Sequence, residues 1–185
     1  MLRASGLDFE IIAADIDEAA IREALSQGEN RSDPGNVAEI LARTKAETIS
    51  AANPDAIVIG ADQILTLDGE IFEKPANVEA ARNTLLKLKG RTHHLHACVC
   101  AALNGQGVWN HGEAAQLTMR DFSAKFMDNY LAAEGGSAFD SVGAYRLESY
   151  GVQLFSEVKG DYFTILGLPI VALLGFLRKE GVLEP

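Results

Sequence analysis

The sequence predicts an α/β domain built around a mixed sheet, and three observations support this class. Apolar runs typical of strands alternate along the chain with amphipathic segments of helical period. Arg91 to Leu103 predicts a long strand, and it is followed by Asn104-Gly105, a strong β-hairpin signal. With 185 residues, 48% of them hydrophobic, the chain can bury the core of one domain. We therefore expect one domain over residues 1–185.

The first third of the chain supplies two strands and a helix. Leu7 to Ala14 alternates between apolar and polar residues, which predicts a strand. Val37 to Ala52 carries the apolar stripe of an amphipathic helix. The apolar run from Ala56 to Ala61 predicts a buried strand that ends at Asp62, and Asp68-Gly69 predicts a hairpin turn after it.

The rest of the chain continues the alternation of strands and helices. Glycine and proline mark the element ends, and Ser123 is placed to cap a helix. The predicted elements are a helix over Val78 to Leu88, a strand over Val108 to Met119, a helix from Ser123 to Ala133, strands over Ala144 to Leu147 and Val152 to Phe155, and a helix from Pro169 to Lys179.

Composition and charge exclude several classes of function. A net charge of −10 argues against broad binding of nucleic acid or of an anionic membrane surface. No apolar run approaches the length of a membrane span, and the opening residues do not resemble a signal peptide. Cys98 and Cys100, separated by one residue on a strand, cannot readily pair. These features fit a protein of the reducing cytoplasm.

Acidic and basic side chains at the element ends are candidates for a catalytic site. A buried strand that ends in Asp62, followed by Lys74, can hold a divalent metal and a polyphosphate. Asp17-Glu18 can bind Mg²⁺ through water. From the residues alone the alternatives stay open: Asp62 as a polar strand terminus, Asp17-Glu18 as solvated charges, and Lys45 as a lysine that extends to water from the border of an apolar helix stripe.

A second candidate metal site lies on the predicted strand before Asn104. His94, His96, Cys98 and Cys100 share one strand face. Neighbouring positions on a face lie about 6–7 Å apart, so one zinc ion could take two of these side chains but not all four. The pattern favours strand packing over zinc binding.

Taken in order, the motifs resemble the Maf family of nucleoside triphosphate pyrophosphatases. The matching segments are Asp17-Glu18, Leu41 to Ala46, Ile59 to Asp62, Asp68-Gly69, Lys74-Pro75, Gly90 to His93, Gly143 to Tyr145, Gly160 to Tyr162 and Gly167 to Pro169. The resemblance runs from the first residues to the last helix. It implies a mixed-sheet fold like that of the inosine triphosphatases, with two lobes around a deep cleft.

The resemblance also implies an activity and roles for individual residues. The activity is hydrolysis of a nucleoside triphosphate to the monophosphate and pyrophosphate. Asp62 would be the general base and, with Glu18, a ligand of Mg²⁺ or Mn²⁺. Lys45 and Lys74 would contact the polyphosphate. A nucleoside triphosphate is thus the implied partner, and a homodimer is left open.

Two departures from the usual family pattern bear on the nucleobase. Gln63 and Glu148 stand where many members have threonine and glutamine, and this pair resembles the branch that acts on 7-methyl-GTP. A carboxylate can accept from guanine N1–H and from the exocyclic amine together, whereas uracil offers no such pair of donors. The alternatives are a dTTP or UTP pyrophosphatase of the same family, a non-catalytic protein that binds nucleotides or partners in cell-division control, and an enzyme of the inosine triphosphatase kind.

The start of the chain also differs from the family pattern. Members open with a strand and a phosphate loop that carries a serine and an arginine, and Met1 to Phe9 matches the segment after that loop. The resemblance therefore implies a domain that lacks the first strand and the phosphate loop. We expect an unpaired sheet edge near the cleft and weak catalysis from the 185-residue chain.

Overall fold

The computed structural model describes residues 1–26 and 33–184, and these form helices and one five-stranded sheet. The strands are β1 (Val58–Leu67), β2 (Glu70–Phe72), β3 (Thr92–Leu103), β4 (Gln106–Met119) and β5 (Phe155–Lys159). The helices are α1 (Glu18–Ser26), α2 (Pro34–Ala52), α3 (Val78–Leu88), α4 (Ala124–Glu134), α5 (Tyr162–Ile165) and α6 (Ile170–Lys179). The α/β class is confirmed. Within the described ranges no helix is both long and apolar enough to cross a membrane.

Both predicted hairpin turns are present, and each needs a left-handed backbone. Asp68 and Gly69 have φ of 49° and 82° between β1 and β2. Asn104 and Gly105 have φ of 50° and 74° between β3 and β4. Two consecutive positive φ values are typical of the type I′ turn, whose twist matches that of the strands it joins.

Side-chain caps fix the starts of two of the predicted helices. Asn77 Oδ1 accepts from the Ala80 amide at 2.9 Å, and α3 then runs over the predicted Val78–Leu88. Ser123 Oγ accepts from the Phe126 amide at 3.1 Å at the start of α4. These bonds satisfy amides that have no partner inside the helix.

The strand order in the sheet is β2-β1-β3-β4-β5, and the pairs β1–β2 and β4–β5 are antiparallel. β2 pairs only with Leu65, Thr66 and Leu67. Among the described residues, the earlier part of β1 therefore has no strand partner on the β2 side.

The chain divides into two compact units. The first contains the described residues of 1–63, 96–113 and 167–184, and the second contains residues 64–95 and 114–166. The second unit has a continuous hydrophobic core in which Leu65, Leu85, Leu117 and Tyr130 are fully buried. β1, β3 and β4 contribute residues to both units.

Three predicted strands are wrong. Leu7 to Ala14 forms no strand, and Ile11 within it is 79% exposed. Ala144 to Leu147 forms no strand either, because Ala144 has a φ of 56°, outside the extended region. Val152 to Leu154 belongs to a 3-10 helix over Tyr150–Leu154, and β5 begins only at Phe155.

Candidate active site

A close contact between α2 and β1 positions the first candidate side chains. A Cβ atom at Gly60 would lie 2.3 Å from the Ala42 carbonyl oxygen and 2.9 Å from the Ala46 nitrogen. Only glycine therefore lets the helix backbone approach the strand this closely. Asp62 lies two residues beyond Gly60 on the same strand face, and Lys45 precedes Ala46 on the helix. The contact places these two side chains side by side.

Lys45 joins two carboxylates from different elements. Its Nζ donates to Asp62 Oδ1 at 2.6 Å and to Glu18 Oε1 at 2.8 Å. Both carboxylates hold the pKa of Lys45 above its ordinary value, although burial alone would lower it. The predicted residues Glu18, Lys45 and Asp62 thus form one cluster in the first unit, called here the acid–lysine cluster.

Asp62 lies inside β1 rather than at its end, so the prediction that it terminates the strand is wrong. Its side chain is 7% exposed. Burial raises the pKa of Asp62, and the Lys45 hydrogen bond offsets this only in part. The second oxygen, Oδ2, is buried and has no hydrogen-bond partner among the residues that the structure describes. An unpaired carboxylate oxygen is costly to bury, and together with the charged groups around it Oδ2 is a candidate position for a ligand or a reacting water.

Glu18 and its neighbour Asp17 have different roles at the start of α1. Asp17 Oδ1 accepts from the Ala20 amide at 2.9 Å and caps the helix. Glu18 instead contacts Lys45 through Oε1 and Arg22 through Oε2, at 2.8 and 2.7 Å. Burial alone would raise the pKa of Glu18, but Lys45 and Arg22 outweigh it and leave the pKa below its usual range. Glu18 is therefore the acid of the predicted pair that belongs to the cluster.

The acid–lysine cluster fits a small divalent cation. Mg²⁺ and Mn²⁺ prefer oxygen donors, and Mg²⁺ commonly takes one or two carboxylates with waters and substrate phosphates. Glu18 and Asp62 supply two carboxylates that share one ammonium, and Asp62 Oδ2 has an open lone pair. No group of three or more metal-ligating side chains occurs among the residues that the structure describes.

Gln63 follows Asp62 on β1 and belongs to the first unit as well. A Cβ atom at Gly167 would lie 3.8 Å from Gln63 Cδ. Gly167 has a φ of 94°, which favours glycine. The Gln63 carboxamide therefore lies against the backbone before α6.

The other two predicted residues, Lys74 and Glu148, belong to the second unit. Lys74 is exposed in the connection between β2 and α3. Glu148 lies in a turn, and its Oε1 accepts from Arg146 Nε at 3.0 Å. The roles of Lys74 in phosphate binding and of Glu148 in base selection stay predictions.

Glu18 and Lys45 also line a cavity of about 760 Å³ within the first unit. The rest of its wall is largely apolar and includes the β1 backbone around Ile57 and Ile59, with Phe9 and Leu177. The charged pair is thus reached from an open space rather than sealed in a core.

Sequence reasoning missed two residues of this site. Gly60 is one, and the signal for it is that a glycine inside a strand often marks close backbone approach. Arg22 is the other, and its signal is the four-residue spacing from Glu18, which brings side chains together on a helix.

Comparison with known proteins agrees with these features. The family model described as Maf-like protein matches residues 1–180. A nucleoside triphosphate pyrophosphatase of Paramagnetospirillum magneticum is 50% identical over 185 residues, covering all of this chain and 94% of the relative. A 7-methyl-GTP pyrophosphatase of Brucella abortus is 46% identical over 184 residues, covering all of this chain and 92% of the relative. One of Mesorhizobium japonicum is 44% identical with the same coverage.

Proposed function

Because the chain belongs to the Maf-like family, we propose that it hydrolyses a nucleoside triphosphate to the monophosphate and pyrophosphate. The observation that carries the proposal is the acid–lysine cluster, where a buried carboxylate with one unpaired oxygen lies beside an ammonium and a second carboxylate. Relatives named nucleoside triphosphate pyrophosphatase support the same reaction.

Asp62 is the proposed general base. Lys45 holds Oδ1, which leaves Oδ2 free to accept a proton from a water molecule that attacks the α-phosphorus. Burial raises the pKa of Asp62, and a raised pKa makes a carboxylate a better proton acceptor. The proton goes to Asp62, and the bond between the α-phosphorus and the bridging oxygen breaks to release pyrophosphate.

The charged side chains around Asp62 suit the binding of a polyphosphate. Lys45 is a point charge for phosphate oxygens, and Lys74 is the proposed second one. Glu18 and Asp62 would hold Mg²⁺ or Mn²⁺, which supplies charge neutralisation on the phosphate oxygens when bound.

As the substrate we propose a nucleotide with a guanine-type nucleobase, with 7-methyl-GTP preferred. Several relatives at 42–46% identity are named 7-methyl-GTP pyrophosphatase. Gln63 and Glu148 are the proposed selecting side chains, since the carboxylate matches the paired donors of guanine and the positive charge of its methylated form.

We also expect the protein to work in the cytoplasm, without nucleic-acid or membrane partners. Cys98 and Cys100 are both free thiols, and the net charge of −10 disfavours anionic surfaces. A homodimer stays a prediction.

The test is a panel of dTTP, UTP, GTP, ITP and 7-methyl-GTP, each with Mg²⁺, assayed for pyrophosphate and monophosphate. We expect the highest kcat/KM with 7-methyl-GTP and no release of inorganic phosphate alone. Preference for dTTP or UTP would assign the chain to the alternative branch, and preference for ITP would favour the inosine triphosphatase alternative. Absence of pyrophosphate from every nucleotide would contradict the proposal.

Glu148→Gln tests the base assignment within the same panel. Loss of a carboxylate that accepts from two donors should weaken the binding of 7-methyl-GTP by about 1–3 kcal/mol, while the binding of UTP should change little. Glu157→Gln is the matched control, because Glu157 is another acid of the second unit paired with a nearby cation, Lys159, at 3.0 Å. Equal effects of Glu148→Gln on both nucleotides would remove Glu148 from this role.

A further inference from the structure

Arg22 is a second cation held by the acid–lysine cluster. Its Nη2 donates to Glu18 Oε2 at 2.7 Å, while Lys45 Nζ holds Oε1 of the same carboxylate at 2.8 Å. The side chains of Arg22 and Lys45 are 25% and 22% exposed, so both cations keep contact with solvent. Glu18 therefore aligns a guanidinium and an ammonium beside Asp62.

We infer that Arg22 binds polyphosphate together with Lys45. The inference rests on the proposed function, because it names a further residue for the anionic part of the same substrate. A guanidinium presents several donors in a fixed plane and can bind a phosphate through two of them. Glu18 holds this fork in place, and the fork can turn to phosphate oxygens once Glu18 contacts a divalent cation.

A comparison with another ion pair separates this role from simple helix stabilisation. Arg43 and Glu39 on α2 have the same four-residue spacing, and their side chains are 47% and 33% exposed. Among the described residues, no ion pair joins Arg43 or Glu39 to a third charged group. The Arg22–Glu18 pair instead shares Glu18 with Lys45, and Lys45 is hydrogen-bonded to Asp62. The buried Oδ2 of Asp62 has no hydrogen-bond partner in the part of the chain that the structure describes. That unpaired oxygen independently points to a ligand at this cluster.

Binding of inorganic pyrophosphate tests the inference without requiring turnover. Titration calorimetry in the presence of Mg²⁺ should show a Kd raised about tenfold by Arg22→Gln, the size expected for one charge-assisted bond. Arg22→Lys keeps the charge but not the fork and should raise Kd about threefold. Arg43→Gln removes the comparison pair and should leave Kd unchanged. In the hydrolysis assay, Arg22→Gln should raise KM more than it lowers kcat.

The outcomes separate this inference from the proposed function. If the parent hydrolyses a triphosphate and Arg22→Gln binds pyrophosphate as the parent does, the inference fails and the function stands. If the parent binds pyrophosphate through Arg22 but hydrolyses nothing, the function fails and the binding role stands. A parent that binds no pyrophosphate contradicts the inference. If Arg22→Gln does not fold, Arg22→Lys decides: a Kd equal to that of the parent then overturns the role of the fork.

Discussion

Each of the two units contains a buried polar side chain with one atom left unpaired, and the two surroundings differ. In the first unit this atom is Asp62 Oδ2, and in the second it is His93 Nδ1. Asp62 accepts a hydrogen bond from Lys45, which is partly exposed and lines a cavity. His93 is fully buried, bonds Tyr145 Oη at 2.8 Å, and lies within 6.1 Å of the Phe155 ring, measured between centroids.

The difference shows that an unpaired buried atom alone does not identify a site. Burial lowers the pKa of His93 to about 4, so its imidazole is neutral and the core tolerates it. The Asp62 carboxylate is hydrogen-bonded to Lys45, which offsets part of the cost of its burial, and Lys45 lines a cavity together with Glu18. Of these two groups, Asp62 has a charged partner that lines a cavity, whereas the partner of His93, Tyr145, is buried in the hydrophobic core. The following predictions test this comparison, from the largest effect on stability to the smallest.

Lys45→Met should destabilise the protein most. It leaves two carboxylates without their shared cation, and loss of one partner of a buried pair is costly. Since Lys45 is partly exposed, we expect the free energy of unfolding to fall by about 2–3 kcal/mol rather than by the full buried-pair cost. Urea denaturation measures this loss. Adding Asp62→Asn to Lys45→Met should recover at least half of the lost stability. If Lys45→Met alone is as stable as the parent, the two carboxylates do not need the lysine charge.

His93 should make stability depend on pH. Its pKa is about 4 in the folded protein and about 6.5 when unfolded, so the unfolded state binds more protons between these values. Its contribution is complete above pH 6.5 and is lost as the pH falls toward 4. From pH 7 to pH 5 the parent should lose about 2 kcal/mol more stability than His93→Gln, which does not titrate. Parallel losses in urea titrations of the two proteins would contradict a neutral buried imidazole.

The local parts of the fold could be predicted from the sequence, and the parts that depend on distant contacts could not. Asn104-Gly105 specifies a tight turn by itself, and the helical period of Val78 to Leu88 lies within one short segment, so the hairpin and α3 were correct. Ala144 adopts a positive φ where Tyr130 Oη donates to its carbonyl at 3.1 Å, and no local pattern announces that contact.

The site shows the same division between local and distant information. Motif order pointed to Glu18, Lys45 and Asp62, and the structure brings these three together. The order of the motifs could not show that Asp17 caps α1, nor that Arg22 shares Glu18 with Lys45. Both facts depend on where α1 begins.

Asp17→Ala should have the smallest effect on stability. Loss of the α1 cap should cost about 1 kcal/mol, and Asp17→Asn, which keeps an accepting oxygen, should restore most of it. Turnover should change far less than with Glu18→Gln when both are assayed at saturating Mg²⁺. A larger loss of turnover from Asp17→Ala than from Glu18→Gln would exchange the roles assigned to the two acids.

The central claim is that Asp62 is the reactive group and His93 a structural one, and pyrophosphate release tests it most directly. Asp62→Asn keeps the shape and removes the basicity, so with 7-methyl-GTP and Mg²⁺ its kcat should fall by ~10²-fold or more while nucleotide binding persists. His93→Gln, assayed beside it at pH 7.5, should keep a kcat within about twofold of the parent, because it lies outside the charged cluster. Unchanged turnover in Asp62→Asn, in a preparation whose parent is active, would contradict the account.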